Sequence, residues 1–435
     1  MTFGFLITSQ TREELHAALP ILQSATRSVV TTNPEIDYDL HYAKSCIESP
    51  TKLAYLQGSG NKRVSLQETE IGDIVMVPFP CWAFEQDHLK EGIESSKPHP
   101  FYSNGSLDEI VIDKIIEGIA KAFIMKGSNV FGFGGYTSVV VMPKAMRGLN
   151  AFVNLKLQKK LEQFYNAGDD FINYQITEKE KQEGLLEMIA DMKGVQPKTY
   201  NTSGSYLTAY YSLKGLEEIA RRNNLDLENT AIAVYGMGAV SRGITELILE
   251  KYESADIHII RRNHAKLLRD ISELKEKYPK ARINGSVNEN ADYKSHSKKI
   301  IIVATSMLHP FLKAEDIDEG AIVLDDGRPK SMSLEEVIQL EQKGGQYFTL
   351  GLLKSKLDTS GNQLVSHGLG KRIMAVAQLK NNQHLACFAE TLVLNQMLRS
   401  GVNAAILERY SSLRVNLEYM KDIVEAADEI FEIDV

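Results

Sequence analysis

Residues 230–243 read Thr-Ala-Ile-Ala-Val-Tyr-Gly-Met-Gly-Ala-Val-Ser-Arg-Gly, and this stretch decides the fold. The apolar run Ile232-Ala233-Val234 predicts a strand buried on both faces, as in a parallel sheet. Gly236-Met237-Gly238 predicts a sharp turn, and residues 240–250 open a helix whose first amides have no partner within it. Such a helix start favours an anion, because unpaired N–H groups and the macrodipole act together; a pyrophosphate suits it. A second strand over 257–260 ends in Arg261-Arg262-Asn263. Cofactors lacking a 2′-phosphate usually meet an acidic residue there, whereas arginine suits the phosphorylated one. The expected cofactor is therefore NADPH, held by Gly236, Gly238, Ala239, Ser241, Arg242, Arg261, Arg262 and Asn263. Arg242 lies in the helix's first turn, where a cation opposes the dipole unless an anion is near. Solvated surface charge is the plainer reading of the arginines.

Further strands are predicted over 299–304 and 321–324, running into Thr305-Ser306-Met307 and Asp325-Asp326-Gly327-Arg328-Pro329-Lys330. Strands alternating with helices at this spacing predict a doubly wound parallel sheet. Thr305, Ser306 and Met307 join the cofactor candidates. Upstream, Met1 to Thr8 reads as a first strand, residues 12–26 and 108–126 as helices, and 73–77 as a strand. Residues 177–196 read as a charged helix, and a further helix reaches about Asn223. Leu352 to Gly370 reads as loop; His384 to Ser400 and Ala404 to Phe431 read as two closing helices. The expected class is α/β. A Rossmann-type NADP-binding domain (201–350) follows an N-terminal α/β substrate domain (1–200), and a C-terminal loop and helical segment (351–435) closes the chain.

The 435 residues carry a net charge of −8, 43% hydrophobic and 24% charged residues. That balance fits an ordinary globular enzyme and opposes general nucleic-acid binding, which needs a basic surface. No 18-residue apolar run exists and no basic segment precedes the first apolar stretch, so the expected location is the cytoplasm. Cys46, Cys81 and Cys387 form neither a disulfide framework nor a metal-ligand cluster, and no metal is expected.

Cys387 sits in Leu385-Ala386-Cys387-Phe388-Ala389-Glu390, near a predicted helix start. Thiolate is the reactive form of cysteine, and a helix N-terminus favours it. A nicotinamide domain plus an activated thiol suggests acyl transfer to sulfur, then hydride reduction to an aldehyde. The plain alternative is a small apolar residue buried in a helix. Cys81, in Pro78-Phe79-Pro80-Cys81-Trp82, is the reserve nucleophile. Glu390, three residues on, could orient a donor or relay a proton, and equally could make a structural hydrogen bond. His384 and His309 read as surface or loop residues. Gly134-Gly135-Tyr136-Thr137-Ser138 is either a wall admitting a ligand close to backbone or a tight turn.

Several segments together resemble the cyanobacterial-type long-chain acyl-(acyl carrier protein) reductases, which form fatty aldehydes. They are Phe3-Gly4-Phe5-Leu6-Ile7, Gly134 to Ser138, Thr202-Ser203-Gly204 with Thr208-Ala209-Tyr210, and the nucleotide turn. Ala304 to Met307, Asp325-Asp326-Gly327 with Pro329-Lys330, and Ala386-Cys387-Phe388-Ala389-Glu390 complete the set, in the family's order. The resemblance implies an acylated nucleophile at Cys387, with Glu390 and Ser306 in support. It also implies a substrate wall at Gly134, Gly135, Tyr136, Thr137, Ser138 and Gly204. It further implies an acyl carrier protein or acyl-coenzyme A substrate and an aldehyde-consuming partner. The turn itself, with Ser241-Arg242-Gly243, is closer to shikimate dehydrogenases, which offers a non-covalent oxidoreductase as the alternative. Asn201-Thr202-Ser203-Gly204 resembles that family's Asn-Thr-Asp-Gly, with serine in place of the acid. A non-catalytic NADPH or carrier-protein binder is the other alternative. Lys144, Arg147, Lys156, Lys159 and Lys160 stand without acids among them. They are either a solvated face or a docking face for an acidic carrier or anionic lipid headgroups, a peripheral membrane contact.

Overall fold

The computed structural model describes residues 2–8, 73–79, 102–103, 106–107, 112, 116, 119–120, 123–124, 127, 129–133, 148–166, 191, 194–287, 300–305, 310–327, 330–356, 383–412 and 414–434, the first four segments by backbone alone. Two compact units divide the chain. One takes Met1–Ser203, Asp358–Asn381 and Thr391–Leu413; the other takes Gly204–Leu357, Asn382–Glu390 and Arg414–Val435. The C-terminal residues are shared between the two units.

The first unit holds strands β1 (Thr2–Thr8), β2 (Asp73–Phe79), β5 (Val130–Phe133) and β6 (Tyr200–Thr202) in the parallel order β2-β1-β5-β6. A small hairpin of β3 (Tyr102–Ser103) and β4 (Ser106–Leu107) lies between them in sequence. The helix expected over 108–126 is seen at Ile112, Ile116, Ile119, Ala120, Phe123 and Ile124, all helical and buried. Their three- and four-residue spacing is one face of a helix.

Helix α1 (Leu149–Asn166) supports β6 in an unusual way. Asn154 accepts from Thr199 N (2.8 Å) and Thr199 Oγ1 (2.8 Å), and its amide donates to Thr199 O (3.1 Å). Asn150, one turn earlier, accepts from Asn201 N (2.5 Å) and Asn201 Nδ2 (3.0 Å). Tyr200 N points the other way, to Asn129 O (2.8 Å), so residues on either side of it present their backbone groups to the asparagines. Two side chains spaced i, i+4 on a helix therefore act as a rung beside the strand.

The second unit is built on a six-stranded parallel sheet of order β12-β11-β10-β7-β8-β9. After helix α2 (Ser205–Arg222), β7 (Ala231–Tyr235) leads to α3 (Ala239–Lys251), β8 (Asp256–Arg261), α4 (His264–Lys277) and β9 (Arg282–Val287). The second half is β10 (Ile300–Val303), β11 (Ile322–Asp325), α5 (Leu334–Gln342) and β12 (Gln346–Thr349). Counted from β7, the spatial order is 3-2-1-4-5-6, the arrangement of dinucleotide-binding sheets. The fold is α/β of Rossmann type. β10 and β11 are buried along their whole length, as unbroken apolar runs in a doubly covered sheet must be.

The C-terminal elements differ from expectation. Leu352 to Ser355 is strand β13, antiparallel to β14 (Gln383–Leu385) and to β15 (Phe431–Ile433). Polar and glycine neighbours masked this short strand, whose pairing is entirely non-local. The closing helix starts at Ala386, not His384, because residues 383–385 pair with β13; α6 spans Ala386–Arg399. The long helix expected over 404–431 is broken into α7 (Ala404–Glu408), two 3-10 turns and α8 (Met420–Ile430). Asn403 and Asn416 cap new starts there, accepting from Ala405 N and Glu418 N. Among the described residues, no helix is long and apolar enough to cross a membrane.

Asn154→Ala should lower the stability of the full chain by about 2–3 kcal/mol in urea denaturation, since it strands backbone and hydroxyl groups of Thr199. Lys159→Ala, on the exposed face of the same helix, should change it by less than about 0.5 kcal/mol.

Candidate functional site

The site is assembled at the carboxyl edge of the six-stranded sheet, where open α/β sheets bind ligands. β7 ends in Gly236, whose φ of +76° only glycine adopts without strain. Its N–H donates to Ile260 O (2.8 Å), tying the turn to β8. A Cβ on Gly236 would sit 3.1 Å from the methyl of Thr305, which follows β10. β7 and β10 flank the point where strand order reverses, so turn and hydroxyl face each other across the sheet's switch point. Thr305 Oγ1 is buried there without a hydrogen-bond partner. Gly238 begins α3, and no acid occupies the helix's first turn. A backbone cradle, an unopposed helix N-terminus and an orphaned hydroxyl fit a dinucleotide. Gly236 to Ala239 would hold the pyrophosphate and Thr305 would contribute its hydroxyl.

Other residues expected in the cofactor set also make contacts within the protein. Ser241 is fully buried and its Oγ accepts from Gly238 N (2.9 Å), bracing the helix start. Arg242 is nine-tenths buried and meets three carboxylates: Glu246 (2.6 Å), Asp270 (3.3 Å) and Glu273 (2.9 Å). Arg261 also pairs with Asp270. A guanidinium withdrawn from water requires such partners. Burial pushes the Glu246 carboxyl up, but Arg242 and Lys277 outweigh this and hold it below the usual carboxylate range. Successive residues of a strand point to opposite faces, so Arg261 faces α4 while Arg262 is exposed. Asn263 caps α4, accepting from Lys266 N (2.9 Å). Asp270 carried no signal in the sequence: it lies nine residues beyond Arg261 within an ordinary charged helix.

Cys387 is half-buried at the second residue of α6. The preceding Ala386 N–H donates to Gly351 O (2.9 Å), which follows β12. The thiol-bearing helix thus starts on the carboxyl edge. Gly351 is held at φ +66°, and a Cβ on it would lie 2.4 Å from Asp326 Oδ1. A Cβ on Gly204, which has φ +75° and caps α2, would lie 2.3 Å from the Cβ of Cys387. No side chain fits between them. Glu390 is completely buried, and its Oε2 accepts from Leu207 N (2.8 Å) in the first turn of α2. Three of the expected site residues, Gly204, Cys387 and Glu390, are therefore brought together.

The acidic residue that ends β11 has a structural task that its motif concealed. Asp325 is fully buried and accepts from Gly327 N, Ser331 N and Ser331 Oγ, each at 2.7 Å, and from Tyr347 Oη. It pins the loop carrying Asp326 and Lys330 to the sheet edge. Lys330 donates to Thr349 Oγ1 (2.5 Å).

Other expectations change or fall elsewhere. His384 is buried, not on the surface: its ring stacks on Phe388 (6.3 Å, 18°) and meets Phe431 edge-on (5.9 Å). Burial pulls its pKa down to about 4, so it is a neutral packing group. In the basic stretch, Lys160 is 2% exposed and therefore withdrawn from any docking face, and Lys156 lies over the Phe152 ring (5.9 Å). Gly134, Gly135, Tyr136, Thr137, Ser138, Ser306, Met307, Cys46, Cys81, Lys144, Arg147 and His309 lie outside the described residues.

No family model and no curated protein matches this chain. Solved structures with likeness to it include L-tryptophan dehydrogenase from Nostoc punctiforme, at 11% identity over 99% of this chain and 89% of that one, TM-score 0.32. Shikimate 5-dehydrogenase from Listeria monocytogenes gives 12% identity over 87% and 92%, TM-score 0.31. The dipicolinate synthase A chain from Bacillus subtilis gives 16% over 50% of this chain, TM-score 0.30. This chain spans about three fifths of the two dipicolinate synthase subunits it matches, 62% and 61% of their lengths. The strand order and registers, and not these likenesses, define the fold.

The His384 imidazole gives a pH signature. An unfolded histidine takes up a proton near pH 6.5, whereas the native one refuses it until about 4, so stability falls as pH drops through that window. Between pH 7 and pH 4.5 the loss from this group should be about 2–3 kcal/mol. His384→Phe should flatten that part of the urea-denaturation profile, while the carboxylate-driven loss below it persists.

Proposed function

We propose that this chain is an NADPH-dependent oxidoreductase that reduces an acyl thioester to an aldehyde through an acyl intermediate on Cys387. One observation carries the reading: a half-buried thiol at a helix start is seated against Gly204, on the carboxyl edge of the sheet whose switch point has a dinucleotide cradle. Cys387 sulfur attacks the acyl carbon, the bond from that carbon to the carrier sulfur breaks, and the carrier leaves as a thiol. Cys387 stands at the start of α6 and against the cap of α2, so the positive ends of both helices are the fixed dipoles in this proposal that hold negative charge. When bound, NADPH supplies the hydride that converts the acyl group to aldehyde and returns the sulfur. An acyl carrier protein or coenzyme A is the carrier in this proposal, and a separate enzyme consumes the aldehyde. The family resemblance and the site support each other here, since both single out Cys387.

Arg262 is the proposed partner of the cofactor's 2′-phosphate, because Arg242 and Arg261 already have carboxylate partners.

Incubation with a long-chain acyl thioester in the absence of NADPH should add one acyl mass to the protein, mapping to Cys387 after proteolysis. Cys387→Ser should lower aldehyde formation by about 10³-fold or more. NADPH oxidation with an unmodified Cys387 would instead identify a non-covalent oxidoreductase, and NADPH binding without turnover on any acyl thioester a binding protein. Arg262→Ala should raise the KM for NADPH about 10- to 100-fold and leave that for NADH unchanged, as expected for a lost charge-assisted hydrogen bond.

A further inference from the structure

The contact between Gly204 and Cys387 creates a capping problem. Ser, Thr, Asp and Asn ordinarily begin a helix because their side-chain oxygen accepts from an amide in its first turn. α2 begins with Gly204, which makes no side-chain cap, and any side chain there would collide with the Cβ of Cys387 at 2.3 Å. The acceptor comes from elsewhere. Leu207, the third residue of α2, donates its N–H to Glu390 Oε2 at 2.8 Å. Glu390 stands three residues after Cys387 on α6, so the two project from one side of that helix. One helix therefore delivers both the Cys387 Cα and Cβ that forbid a capping side chain and the oxygen that replaces it.

We propose that Glu390 is the positioning residue for Cys387: as the external cap of α2 it locks the start of that helix against the start of α6, where Cys387 stands. The proposal rests on the reading of Cys387 as the nucleophile only for its consequence in turnover; the positioning itself is a property of the thiol. Glu390 is sealed from solvent and does not itself exchange protons with substrate in this account. Ala386 N bound to Gly351 O fixes the start of α6 at one side, and Glu390 fixes the first turn at the other. Thr208 Oγ1, donating to Gly204 O at 2.6 Å, steadies the glycine between them.

The test compares Glu390→Gln with Glu390→Met in the full-length protein. Both variants lack the carboxylate, and only glutamine keeps an oxygen able to accept from Leu207 N, so their difference isolates the hydrogen bond. Iodoacetamide labelling of Cys387, followed by peptide mass spectrometry across pH 6 to 10, gives the midpoint of thiol reactivity without any acyl substrate. The midpoint should be higher in Glu390→Met than in Glu390→Gln by about half a pH unit, as sulfur drifts from the α2 helix start. The acylation rate with a long-chain acyl thioester should fall about 10²-fold in Glu390→Met and be largely restored in Glu390→Gln. Equal midpoints in the two variants would overturn the proposal, because a purely structural cap would alter only the melting temperature. If Glu390→Met does not fold, Glu390→Gln against Glu390→Asn, whose shorter chain withdraws the oxygen and which also lacks the carboxylate, makes the same comparison. A wild-type thiol that is never acylated, with unequal midpoints between variants, would remove the proposed reaction and leave the positioning role standing.

Discussion

The approach of Gly204 to Cys387 is the constraint on which the rest of the site depends. A backbone atom and a cysteine Cβ lie so near that no other residue could stand at 204, and its positive φ restricts that position independently. Two requirements, one steric and one conformational, thus converge on one glycine. They bring the start of α2 to the start of α6, and the start of α6 is already attached to the sheet through Gly351. A second glycine at 351 admits Asp326 in the same manner. The carboxyl edge is therefore organised by missing side chains as much as by present ones.

Charge is distributed by a similar economy. The arginines around α3 and β8 form a partly buried network with Glu246, Asp270 and Glu273, to which Lys277 and Arg414 add their ammonium and guanidinium groups. Removing any one acid would leave a buried cation poorly compensated. The network ties α3 to α4, the helices that follow the first two strands of the sheet. Arg262, turned outward by strand alternation, is exposed just after β8.

What the sequence made legible is what depends on local pattern. The parallel strands at 231–235, 256–261, 300–303 and 322–325 show as apolar runs, and the glycine turn after the first shows as a break between a strand and a helix. The helix start at Cys387 was legible to within two residues. Pairings made at long range were not. β13 is held by residues far along the chain, in β14 and β15, so Leu352 to Ser355 read as loop. The carboxylate shared by Arg242 and Arg261, that of Asp270, announces itself only in three dimensions. His384 read as a surface residue because the aromatic ring that seals it, Phe431, comes from the far end of the chain. Asp325 read as part of a motif, although its role is to be saturated with hydrogen bonds.

The asparagines of α1 have a consequence beyond holding one short strand. The outermost strand of a sheet ordinarily displays unsatisfied donors and acceptors, and these form a template on which another polypeptide can grow. At β6 the outward N–H groups of Thr199 and Asn201 and the carbonyl of Thr199 are already occupied by carboxamides that imitate a neighbouring backbone. An imitation one residue deep cannot itself be extended. Among the described residues, these groups are withheld from intermolecular strand addition by two side chains of α1.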